Sequence, residues 1–126
     1  MTKRNRIIYW VSTIWLALGM ISSGLVQLFK MNEEVDMFDR LGYPEYFMTL
    51  LGVWKILGTA AILIPKFPLL KEWAYAGIFF TMSGAVYSHA ATGDPAIDFF
   101  GPVLTLILIA VSWYFRPADR KLVAGN

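Results

Sequence analysis

Four apolar runs, at residues 7–29, 44–64, 68–91 and 95–115, take up most of this 126-residue chain. Each is about 20–24 residues long, and at 1.5 Å per residue each reaches across a hydrocarbon layer of roughly 30 Å. Backbone in lipid must satisfy its own hydrogen bonds, so only helices and closed barrels span a bilayer. These runs are apolar on every face and lack the alternation of a barrel strand. The sequence therefore predicts an all-α fold, a polytopic membrane four-helix bundle forming a single domain over residues 1–126. The composition agrees, with 57% hydrophobic residues and 16% charged ones, the latter gathered at the ends and connections.

Punctuation between the runs suits helices. Pro44, Pro68 and Pro95 fit first-turn positions, where a missing N–H costs nothing. Asp94 is placed to cap the fourth helix, Gly93 to follow the third, and Pro65 to close the second. The first run is longer than the 7–15 residues of a signal-peptide core and lacks a small-residue cleavage site, so it is expected to be retained. Residues 30–43 form the one long connection. Val35, Phe38 and Leu41, with Met31 and Met37, fit a short amphipathic turn on the interface; a charged, solvated loop fits equally.

Lysine and arginine set the orientation. Lys3, Arg4, Arg6, Lys66, Lys71, Arg116, Arg120 and Lys121 fall on one side, and only Lys30 and Arg40 on the other. By the positive-inside rule both termini are cytoplasmic, N-in/C-in, as in a protein of the bacterial inner membrane. Glu33, Glu34, Asp36, Asp39, Glu45, Asp94 and Asp98 then face outward.

Composition also removes whole classes of chemistry. The chain has no cysteine, which excludes disulfides, thiolate nucleophiles and thiolate-held metals. A single histidine argues against a protein-only metal site. A net charge of +2 with no basic stripe argues against nucleic acid as a partner.

Lys55 stands near the middle of the second run. A charge at that depth costs roughly 3 kcal/mol or more unless it is paired or solvated, so Lys55 must face the bundle interior. Gln27, His89 and Asp98 lie near the outer ends of the first, third and fourth runs. The flexible Lys55 stem spans about 6 Å outward, which would bring all four to one outward-opening cavity. Two roles fit Lys55: an ion pair with Asp98 that locks the second helix to the fourth, or a ligand contact. His89 fits either an interfacial ring bonded to Asp94, Asp98 or a carbonyl, or a proton relay. Asp98 fits a helix-dipole partner as well as a site residue. Pro102 leaves the Asp98 carbonyl without its helical donor. Gly52, Gly58, Thr59, Gly77, Gly84 and Ser88 read as packing positions that let helices approach closely.

Trp54-Lys55-Ile56-Leu57-Gly58, Leu70-Lys71-Glu72-Trp73-Ala74-Tyr75-Ala76-Gly77, Ser88-His89 and Gly93-Asp94 together resemble the DoxX-like family of small membrane proteins. The resemblance covers nearly the whole chain. It implies a four-helix membrane bundle and an association with quinone-linked oxidoreductases, the setting that gave the family its name. It also implies kinship with methylamine-utilisation membrane proteins and a eukaryotic receptor-assembly chaperone. No catalytic set comes with it, and the lack of cysteine removes the dithiol chemistry of some related branches.

Three functions follow as expectations. The first is a redox-associated accessory subunit, not catalytic alone, whose ligand-binding residues Lys55, His89, Asp98, Gln27 and Trp54 hold a quinone or another apolar small molecule. Histidine is suited to relaying the protons that quinone reduction consumes. No flavin, haem or iron–sulfur motif is present, so no intrinsic cofactor is evident and electrons come from a membrane or cytoplasmic redox protein. The second is a non-enzymatic assembly factor or scaffold. The third is a carrier or sensor of a lipid-like solute. The lipid bilayer is a partner in every case, and a homo-oligomer fits each of them.

Overall fold

The computed structural model describes residues 2–121, which form helices joined by short connections, with no strand among them. Five α-helices follow one another: α1 (Lys3–Leu28), α2 (Asn32–Leu41), α3 (Glu45–Leu63), α4 (Pro68–Ala91) and α5 (Phe100–Tyr114). Short 3₁₀ turns occupy Ala96–Phe99 and Ala118–Arg120. Three segments, Lys3–Leu28, Glu45–Leu63 and Ala96–Tyr114, are long and apolar enough to cross a membrane. At 24 residues α4 has the length, but Thr81, Ser83, Ser88, His89 and its glycines dilute its apolar character.

Helix ends explain where the boundaries fall. α1 begins before the apolar run because the Thr2 hydroxyl accepts the Asn5 N–H at 3.1 Å and caps it. Pro68 opens α4 at its first turn, and Gly93, at φ +70°, follows its end. Asp94 does not cap the fourth long helix. Pro95 occupies the cap of a 3₁₀ turn, and the α-helix starts only at Phe100. The connection at 30–43 is neither a turn nor a loop but the ten-residue helix α2, closed by Gly42 at φ +88°.

The four long helices form a ring. α1 packs against α3 and α5, and α4 packs against the same two. The core between them holds Leu16, Met20, Ile62, Tyr75, Met82 and Ile109. Polar groups inside it are mutually satisfied: the Thr13 and Ser112 hydroxyls meet at 2.6 Å, and the Tyr75 hydroxyl meets Ser112 Oγ at 2.8 Å. One buried serine thus ties α1, α4 and α5 together.

The α1–α3 seam is the closest. A Cβ at Gly52 would lie 2.8 Å from the Gly24 carbonyl oxygen, and one at Gly24 would lie 3.1 Å from that of Gly52. Gly52 is therefore a packing position, as expected. Gly77 and Gly84 are not: a Cβ at either meets nothing within 4 Å. Ser88 is committed to the Tyr43 hydroxyl at 2.5 Å.

At the end of the bundle that carries most of the lysines and arginines, two cations close α3. The carbonyls of the last helical turn lack helical donors and need partners in an apolar setting. Arg120 donates to the carbonyls of Ile62 at 2.9 Å, Leu63 at 3.2 Å and Ile64 at 3.4 Å. Its guanidinium lies over the Trp10 ring, 5.1 Å from the centroid. Lys71 Nζ donates to the Ala61 carbonyl at 2.8 Å and to that of Ile64. The sequence counts Lys71 among the boundary cations; its side chain is in fact 1% exposed, consumed by this cap.

Candidate functional site

The opposite, acidic end contains a cavity of about 700 Å³. Its floor is the core itself, at Leu16, Met20, Met82 and Leu108. α2 supplies one wall through Glu34, Met37, Phe38 and Leu41. α2 has this position because it is amphipathic. Phe38 is buried and stacks near Tyr43 and Phe47, with ring centroids 5.9 and 6.4 Å away, while Glu33, Asp36 and Asp39 face out and Glu34 turns toward the cavity.

Gln27, Trp54, Lys55, His89 and Asp98 all line this cavity. Lys55, on α3, is 6% exposed, and its ammonium donates to Ser23 Oγ on α1 at 2.8 Å. Glu34 on α2 is the carboxylate that acts on its charge. Lys55 does not pair with Asp98. The two sit on elements that face each other across the diagonal of the ring, and Lys55 instead reaches sideways to the adjacent helix. Gln27 lies one turn beyond Ser23 on α1, hence on the same face. It is 3% exposed, and its Oε1 has no hydrogen-bond partner among the described residues. Trp54 also lines the cavity and is half exposed.

His89 and Asp98 belong to a second cluster on the cavity's outer side. His89 Nδ1 lies 2.5 Å from Asp94 Oδ2; an ionised carboxylate only accepts, so the ring nitrogen donates. Arg40, at the end of α2, bridges to Asp94 Oδ1 at 3.2 Å and to Asp98 Oδ2 at 3.3 Å. The hydrogen bond from His89, followed by the Arg40 guanidinium, holds the Asp94 carboxyl below its usual range. α2 is thereby fastened across the cavity to the α4–α5 connection. His89, Asp94 and Asp98 also present ligand atoms all within 4.8 Å of one another. Arg40 engages both carboxylates, and His89 Nδ1 is committed to Asp94.

Sequence reasoning missed Ser23, Glu34 and Arg40 as members of the site; it assigned Asp94 to a cap but also offered it as a partner of His89, and that contact is present. The signals for α2 were present: acidic residues in its first turn, Arg40 in its last, Gly42 just after, and Val35, Phe38 and Leu41 at helical spacing. Nothing local points from Arg40 to carboxylates 54 and 58 residues away.

Among known families, a model described as DoxX-like matches residues 11–113, a stretch that takes in most of every long helix and all of the cavity-lining residues named above. Neither the curated proteins nor the solved structures hold a chain that matches.

Proposed function

This chain belongs to the DoxX-like family, and we propose that it is a four-span subunit of the bacterial inner membrane, both termini cytoplasmic, whose cavity opens outward and binds a quinone or a similar apolar ring for a redox partner. The distribution of lysine and arginine supports the orientation. Gln27 carries the ligand reading: its buried Oε1 has no partner, one turn from the serine that receives the Lys55 ammonium. A buried acceptor left unmade costs about 1–3 kcal/mol, and a ligand hydroxyl would recover it.

The pair suits both forms of a quinone couple. Lys55, a donor, would hold a carbonyl oxygen of the oxidised form. Gln27 Oε1, an acceptor, would hold a hydroxyl of the reduced form. Reduction adds two electrons and two protons. The electrons come from the partner protein, since this chain supplies no redox group, and the His89–Asp94 pair stands between the cavity and the acidic surface as a proton path. The protein is an accessory binding subunit, and catalysis belongs to the assembly.

Lys55→Met keeps the length of the side chain and removes its charge. The variant should accumulate in the membrane and lose copurifying quinone, read by mass spectrometry of the extracted protein. Equal quinone in wild type and variant refutes the reading. Copurification of a redox enzyme with the wild type distinguishes a subunit from a scaffold.

A further inference from the structure

A second depression, of about 440 Å³, lies on the membrane-facing side of the seam between α3 and α4. It is mostly apolar, with Leu57, Gly58 and Ala61 on one bank and Leu70, Ala74 and Gly77 on the other. It adjoins the large cavity, with which it shares Met20, Leu51, Trp54, Lys55 and Thr81 as lining. We propose that this groove is the exit channel for an apolar tail, so that the cavity's ligand is an amphiphile with a hydrogen-bonding head and one long hydrocarbon or prenyl chain, exchanged sideways with the bilayer. The inference rests on the reading that a polar head occupies the cavity, and it adds the class of ligand and its route.

Three observations fit together. The junction between cavity and groove carries the ammonium of Lys55 on the inside and the half-exposed Trp54 indole on the outside, so a head held by Lys55 has its tail directed past Trp54. From Leu51 to Ala61 the groove follows about 15 Å of α3 at 1.5 Å per residue, so it is elongated rather than round. Its bed is made by glycines that serve no close helix approach. Gly77 meets nothing within 4 Å, and Gly58 only touches the Ile78 side chain at 3.5 Å. Small residues that bring no helix closer leave room for something else.

In a bilayer the tail gains little by leaving lipid for the groove, since both are apolar. The groove acts by permitting: without it, a tailed head could not seat. Gly77→Leu fills the groove from an open position and should fold. Binding is measured in lipid nanodiscs by tryptophan quenching, with two probes, 2,3-dimethoxy-5-methyl-1,4-benzoquinone and its homologue carrying a chain of two isoprene units. The wild type should hold both, and Gly77→Leu should discriminate against the tailed probe by roughly tenfold, the scale of an overpacked contact. If Gly77→Leu shows no discrimination while Lys55→Met weakens both probes, the tail channel is wrong and the head site stands. If Lys55→Met weakens neither probe, the head site falls and the channel falls with it.

Discussion

The methyl group of a Gly52→Ala variant would lie 2.8 Å from the carbonyl oxygen of Gly24 and 2.8 Å from Leu28 Cγ. Ordinary contact begins at about 3.4 Å, so α1 and α3 must part by about 0.6 Å, the difference between those two distances. Overpacking of this kind costs about 1–3 kcal/mol. Alanine's better helix propensity returns up to about 1 kcal/mol. The clean comparison is Gly84→Ala, which has the same propensity gain with no neighbour within 4 Å. The two variants should therefore differ by about 1–3 kcal/mol, with Gly24→Ala, at 3.1 Å, between them. The seam also positions the site. Lys55 follows Gly52 by one turn and Ser23 adjoins Gly24, so the same parting would stretch their 2.8 Å hydrogen bond past the usual limit of about 3.2 Å. Reversible unfolding in detergent or bicelles should rank Gly84→Ala most stable and Gly52→Ala least. Copurifying ligand should fall in the last of these. Equal stability of Gly52→Ala and Gly84→Ala would show that the helices do not meet as closely as described.

Ser112→Ala removes the partner shared by the Thr13 and Tyr75 hydroxyls in a site that is 0% exposed. It should lower stability by about 1–3 kcal/mol for each hydroxyl stranded, and an unchanged melting temperature would show that water or another group serves them. Asp94 predicts acid sensitivity of α2. Its folded carboxyl titrates below its ordinary 3.8, so its contribution is fully present above that value and is lost as pH falls through the lowered one. Amide exchange of residues 32–41 should quicken only in strong acid, and Asp94→Asn should abolish that dependence. The same acid response in both proteins rules out Asp94 as its source.

The helical class and the long helices were legible because a span of lipid thickness leaves a mark on the sequence that no soluble helix needs. The proline opening α4 and the glycine after it were legible for the same local reason: each marks a backbone constraint within a few residues. α2 was harder to read. Its ten residues carry five acidic or basic side chains, and in a sequence searched for lipid-length runs such a helix resembles a solvated loop. The Lys55–Asp98 pairing failed for a different reason. Depth along each helix can be counted from the sequence, but the order of helices around the ring cannot, and that order seats these residues diagonally. Arg40 was missed likewise: it is the one cation of α2, and its partners lie beyond the next two long helices.

The cap on α3 has a consequence in time. The carbonyls of Ile62, Leu63 and Ile64 are matched by a guanidinium that leaves the ribosome 56 to 58 residues after them. Until it arrives, the Ile62 and Leu63 carbonyls at that helix end lack this donor, while Lys71 serves Ile64. Closure of that end of the bundle therefore waits on the synthesis of Arg120. A nascent chain stalled before Arg120 would present an unfinished surface to the membrane's quality-control proteases, however well its hydrophobic spans had already inserted.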